Sequence, residues 1–143
     1  MGTTTKTLYD TDFAEWSART AELLRAGRYD ELDIENVAEE IETLGRNEHS
    51  AVQSHLTRLL LHKIKQIIQP ERDGPSWQVS IASARQALRD RIEGSPSLRP
   101  YLQKRLQKIY QDALELALIE TGLEHAAVPK ECPWALDALL KRD

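Results

Sequence analysis

The sequence predicts an all-α fold: a single-domain helical bundle of five or six helices over residues 9–143, behind a disordered tail at 1–8. Three observations predict it. Apolar residues recur at the 3.6-residue spacing of amphipathic helices through most of the chain, and no run reads convincingly as a strand. Turn formers gather at a few points, around Gly27, Pro70–Ser76, Gly94–Pro96 and Gly122, and divide the chain into helix-length pieces. The composition, 143 residues with 41% hydrophobic and 29% charged, is that of an ordinary globular chain able to bury a core.

Asp12 opens the first expected helix, with Glu15 three residues on in a capping-box-like pair. Phe13, Trp16, Leu23 and Leu24 give that helix a mostly apolar side, and Gly27 suits the position just past its end. Residues 28–32 make a short connection, and Asp33 is placed to cap the long stretch that follows, as far as Gln69. With Ile41 at the centre of a face, Ile34, Val37, Leu44, Val52, Leu56 and Leu59 fall within about 60° of it at about 100° per residue. Gly45 could break the run in two, since glycine costs about 1 kcal/mol in a helix interior. From Leu59 to Ile68 the pattern is apolar on more than one side, as in a helix buried on several faces or covered by a partner chain. That run is too short, and too charged at Lys63 and Lys65, to cross a membrane.

Residues 70–76 read as a loop, after which Ser76 is expected to cap a helix. Trp77, Ile81, Ala84, Leu88 and Ile92 are its inward set, with Arg85, Arg89 and Arg91 on the other side. Ser97 starts the next helix, with Leu98, Leu102, Leu106, Ile109, Ala113, Leu116 and Ile119 inward, Pro100 tolerated in the first turn, and Gly122 at the end. Residues 128–133 are expected to be extended, because residues before proline avoid the α region. Trp134, Leu136, Leu139 and Leu140 make a short terminal helix closing one end of the bundle.

The net charge of −4 conceals an uneven layout. Residues 1–48 hold twelve acidic against five basic side chains, residues 58–108 hold eleven basic against four acidic, and residues 109–143 are acidic again. Either the basic segment forms a face for an anionic partner, or acidic and basic helices complement one another as neighbours. One cysteine, Cys132, excludes an internal disulfide and fits a reducing compartment. The opening residues hold no apolar signal core, so a cytoplasmic location is expected.

No motif of a known catalytic class is present: no HExxH, P-loop or G-x-S-x-G, and no Glu-x-x-His pair of a bundle di-metal site. No catalytic residue and no cofactor is assigned. Glu39, Glu42, Glu48, His55 and His62 are weak metal candidates, since Glu39 and Glu42 share a helix face and Glu48, His55 and His62 repeat every seven residues. Successive members of that repeat lie about 10 Å apart along a helix, too far to ligate one ion from it alone. Arg72, Trp77, Arg85, Arg89 and His62 are candidate binding residues. The expected function is a non-catalytic protein-interaction or regulatory module, with an unidentified protein partner or self-association. Alternatives are a nucleic-acid-associated protein using residues 58–108, and a metal-dependent hydrolase using Glu39, Glu42 and His62.

Several stretches taken together resemble one family. They are Tyr9-Asp10-Thr11-Asp12-Phe13, Leu32-Asp33-Ile34-Glu35-Asn36, Glu39-Glu40-Ile41-Glu42 with Leu44-Gly45, and Leu59-Leu60-Leu61-His62. The turn Gln69-Pro70-Glu71-Arg72 with Trp77, Ser95-Pro96-Ser97-Leu98 and Cys132-Pro133-Trp134 complete the set. The chain resembles, from about Leu8 to Leu140, the bacterial family catalogued as domain of unknown function number 29. The resemblance implies a small helical bacterial protein and brings no activity, substrate or partner with it. It directs attention to Glu39–Glu42, His62 and the loop from Gln69 to Trp77.

Overall fold

The computed structural model describes residues 8–124 and 128–142, so residues 1–7 of the expected tail lie outside the described residues. Leu8 already belongs to a helical turn over residues 8–11. The helices are α1 (Phe13–Arg25), α2 (Ile34–Ile68), α3 (Pro75–Gly94), α4 (Leu98–Thr121) and α5 (Leu136–Leu140), with short 3-10 turns at Tyr29–Glu31 and Pro70–Arg72. No strand is present among the described residues. The all-α bundle with a packed helical core is therefore as expected, and the chain divides into two compact units, residues 1–47 and 48–143.

In the first unit, the Asp12 carboxylate accepts the Glu15 amide at 3.1 Å and so caps α1. At the other end Gly27 adopts φ 73°, a left-handed conformation that favours glycine. The Arg28 amide then reaches the Leu23 carbonyl at 2.9 Å and the Gly27 amide reaches Leu24 at 3.1 Å, which is a Schellman motif. Trp16, Thr20 and Leu23, at i, i+4 and i+7, form the buried face. Phe13 and Leu24, expected on the apolar side, are largely exposed because they sit at the edge of that narrow face. Tyr9 and Phe13 pack edge-wise or tilted against Trp16, with the Tyr9 and Trp16 ring centroids 4.8 Å apart.

Helix α2 is continuous, and Gly45 does not break it. A Cβ at Gly45 would meet nothing within 4 Å, so packing does not demand a glycine there and one weak residue is absorbed by the intact ladder. Leu59, Leu60 and Ile64 are buried, so Leu59–Ile68 is a helix buried on more than one side within its own chain.

In the second unit, Val52, Leu56, Leu59, Leu60 and Ile64 of α2 join one core with Ile81, Ala84, Leu88 and Ile92 of α3 and the inward residues of α4 and α5. Helix α3 begins two residues earlier than a Ser76 cap predicts, with Gly74 as its cap and Pro75 at the first helical position, where no N–H is missed. Arg85, expected on the outer side, is buried on the inward face, where its Nε donates to the Leu139 carbonyl at 2.9 Å. In α4, Tyr110 and Ala117 are buried while Leu116 and Ile119 are exposed. The buried stripe follows i+4 steps through Ile109, Ala113 and Ala117, and each step turns it about 40° away from those two residues.

Residues 128–135 hold no helix. They are fixed by Gln107, whose Nε2 donates to the Lys130 carbonyl at 3.0 Å and whose Oε1 accepts the Cys132 amide at 2.8 Å. The Tyr110 hydroxyl donates to the Pro129 carbonyl at 2.6 Å. Helix α5 then buries Leu136, Leu139 and Leu140. No helix among the described residues is long and apolar enough to cross a membrane.

Candidate functional site

The first departure from the expected core is on α2. Ile34, Ile41 and Leu44, members of the predicted inward stripe, are 60%, 63% and 69% exposed. The stripe is one in spacing but not in burial: its later members Val52, Leu56 and Leu59 are covered by the helices of the second unit, and these three are not. Acidic residues lie between them in the helix. Glu39 and Glu42 converge on the Arg46 guanidinium at 3.0 and 3.6 Å, and Glu40 accepts the Tyr9 hydroxyl at 2.5 Å. That hydrogen bond, followed by desolvation and the charges of Glu40, Glu39 and Asp10, pushes the Tyr9 phenol up to about 12. The result is an acidic stretch of helix with three large aliphatic side chains in water.

Four of the five metal candidates have other partners. Glu39 and Glu42, in the first unit, hold Arg46. Glu48, in the second, pairs with Arg91 at 2.7 Å. His62 Nδ1 lies 2.8 Å from the Arg58 carbonyl one turn back on its own helix. His55 is half-buried, and burial, then the charges of Arg58 and Arg91, hold its pKa below the usual histidine value. Among the described residues no three His, Cys, Asp or Glu side chains are grouped to hold a metal ion. Cys132 is half-buried with its thiol 3.3 Å from the Trp134 carbonyl, and burial raises its pKa, the opposite of what a nucleophile needs.

The candidate binding residues separate. Arg72 lies exposed on the turn Pro70–Arg72. Trp77 sits under the Lys65 ammonium, 4.8 Å from the ring centroid, and Lys65 also pairs with Glu120 at 3.0 Å. Arg85 and Arg89 come together, lining a cavity with Lys63 of α2 and with Arg142 beyond α5. Lys63, Arg85 and Arg89 all belong to the basic segment read from the sequence, whereas Arg142 lies in the acidic third segment and gives no such signal.

A family model for the Domain of unknown function DUF29 matches residues 8–143, nearly the whole chain. The chain belongs to that family. No curated protein and no solved structure matches it. Membership in DUF29 accounts for the chain-long pattern and assigns no chemistry to either surface.

Proposed function

We propose that this DUF29 protein is a helical interaction module whose acidic first unit docks a basic amphipathic helix of a partner protein. The observation that carries the reading is the exposure of Ile34, Ile41 and Leu44 on one band of α2. Fully burying such a side chain contributes about 1.5–3 kcal/mol. Each is more than half exposed, so covering all three would contribute about 3–6 kcal/mol before the costs of association. Spacings of seven and three residues suit a facing helix rather than a strand. Charge selects the sign of that helix. Residues 1–48 hold twelve acidic against five basic side chains, so a second copy of the same face would bring like charges together, while a lysine-rich helix would be attracted. The apolar run at Leu59–Ile68, which from sequence alone also suits a partner surface, gives less support because Leu59, Leu60 and Ile64 are buried.

The test is fluorescence anisotropy with a labelled synthetic amphipathic helix of leucine and lysine, against the full chain and its Ile34→Ser/Ile41→Ser/Leu44→Ser variant. The expected result is saturable binding that weakens at least about tenfold in the variant, with unchanged helicity by circular dichroism. Equal binding by wild type and variant would overturn the reading. So would a wild-type dimer in sedimentation velocity that the triple substitution abolishes, since a second copy would then occupy the face.

A further inference from the structure

The second unit contains a cavity of about 440 Å³ between α2, α3 and the residues after α5. Four cations line it, Lys63, Arg85, Arg89 and Arg142, and no Asp or Glu is found among its described lining residues. Some cations of the second unit have a carboxylate partner, as in Lys65–Glu120, Arg91–Glu48 and Arg99–Asp137. Lys63, Arg89 and Arg142 have no carboxylate partner among the described residues. Placing them around one space is unfavourable unless something anionic enters it.

The cations are also held in place. Arg85 Nε donates to the Leu139 carbonyl and Arg89 Nη1 to the Leu140 carbonyl, each at 2.9 Å, so both guanidiniums are anchored by fixed backbone. Arg142 donates to Gln86 Oε1 at 3.3 Å, and the Lys63 ammonium lies 5.0 Å from the Trp134 ring centroid. Binding the α5 carbonyls accounts for one nitrogen of Arg89 and for part of what holds Arg85. It does not account for Lys63 or Arg142, whose contacts run to the Trp134 ring and to Gln86 rather than to the α5 carbonyls. Gln78 adds an amide to the lining, and Ile81 and Ala82 add an apolar patch.

We propose that this cavity is a binding site for a small organic phosphate carrying more than one negative charge. The volume is that of a small-molecule site, which combines an apolar wall with a few convergent polar groups. Guanidinium forks match phosphate oxygens in geometry, a lysine adds a point charge, and Ile81 and Ala82 offer a surface to the organic part. The site shares no residue with the proposed docking face, so the two readings stand or fall separately.

The test is isothermal titration calorimetry of the full chain at low salt, with inorganic pyrophosphate as probe. Wild type is expected to bind one equivalent. Lys63→Gln/Arg142→Gln, which leaves the anchoring arginines in place, should bind at least about tenfold more weakly while melting near the wild-type temperature. Arg105→Gln, removing a cation that stacks on Tyr101 at 4.0 Å and is not part of the lining, should leave the affinity unchanged. Absence of saturable heat in the wild type would overturn the proposal, as would equal affinity in the double variant. A single-stranded oligonucleotide that binds more tightly than pyrophosphate, and is weakened as much by Arg105→Gln as by the double variant, would also overturn it in favour of a distributed basic face.

Discussion

Leu44→Ala and Leu56→Ala make the same chemical change on the same helix and are expected to have very different costs. Leu56 is fully buried among the core residues of the second unit, and Leu44 is 69% exposed. Truncating Leu56 removes buried methyl groups and leaves a cavity, a loss of about 2–5 kcal/mol. Truncating Leu44 removes atoms already mostly in water, and alanine has the slightly better helix propensity, so the change should stay within about 0.5 kcal/mol. For a unit of roughly this size, 1 kcal/mol moves the melting temperature by about 4–8 °C. Leu56→Ala should then melt at least about 8 °C lower and Leu44→Ala within about 4 °C of wild type. Circular dichroism melts, supported by urea titrations at two protein concentrations, measure both. If Leu44→Ala costs as much as Leu56→Ala, the face is covered and the argument from exposure fails. If that cost also grows with protein concentration, the cover is a second copy.

Two titrations give sharper signs. Tyr9 is raised from 10.0 to about 12 by its hydrogen bond to Glu40 and the surrounding acid, so the neutral phenol is the form the fold favours. Its contribution is complete below pH 10 and is lost as pH rises towards 12, and Tyr9→Phe should remove that loss and the latest part of the ultraviolet tyrosinate titration. No change in that late part would show that the Tyr9–Glu40 bond does not form. His55 is shifted the other way, below 6.5, by burial and then by Arg58 and Arg91. Its neutral form stabilises the fold above pH 6.5, and the contribution is lost as pH falls through the lower folded value, so His55→Gln should flatten the acid side of the stability curve. A proton NMR midpoint for His55 at or above 6.5 would contradict this.

Much of the architecture is legible because turn chemistry is local. Asp12, Gly27 and Gly122 mark helix ends through interactions that reach only a few residues. Periodicity locates α2, α3 and α4, but it gives the direction of an apolar face without saying whether another helix covers it. Ile41 and Leu59 have the same phase and opposite fates for that reason. Arg85 fails from sequence in the complementary way: a charged residue is assigned outward by default, whereas the distant carbonyl of Leu139 accepts its Nε in the interior. The cationic cavity is half visible, since Lys63, Arg85 and Arg89 stand in the basic segment. Its closure by Arg142 depends on where the residues after α5 run, which no local pattern encodes.

Helix α5 has a consequence for the order of events during synthesis. A five-residue helix cannot persist alone, because one turn does not recover the cost of nucleation. Leu136–Leu140 therefore becomes helical on docking, when Arg85 and Arg89 of α3 take up the carbonyls of Leu139 and Leu140. Those arginines, and the leucines of α2 and α3 that share the core, are all translated earlier. A growing chain that has completed α4 still displays the apolar ground that Leu136, Leu139 and Leu140 will cover. The nascent protein thus passes through an interval of vulnerability to aggregation and proteolysis. That interval ends when residues 136–140 have left the ribosome.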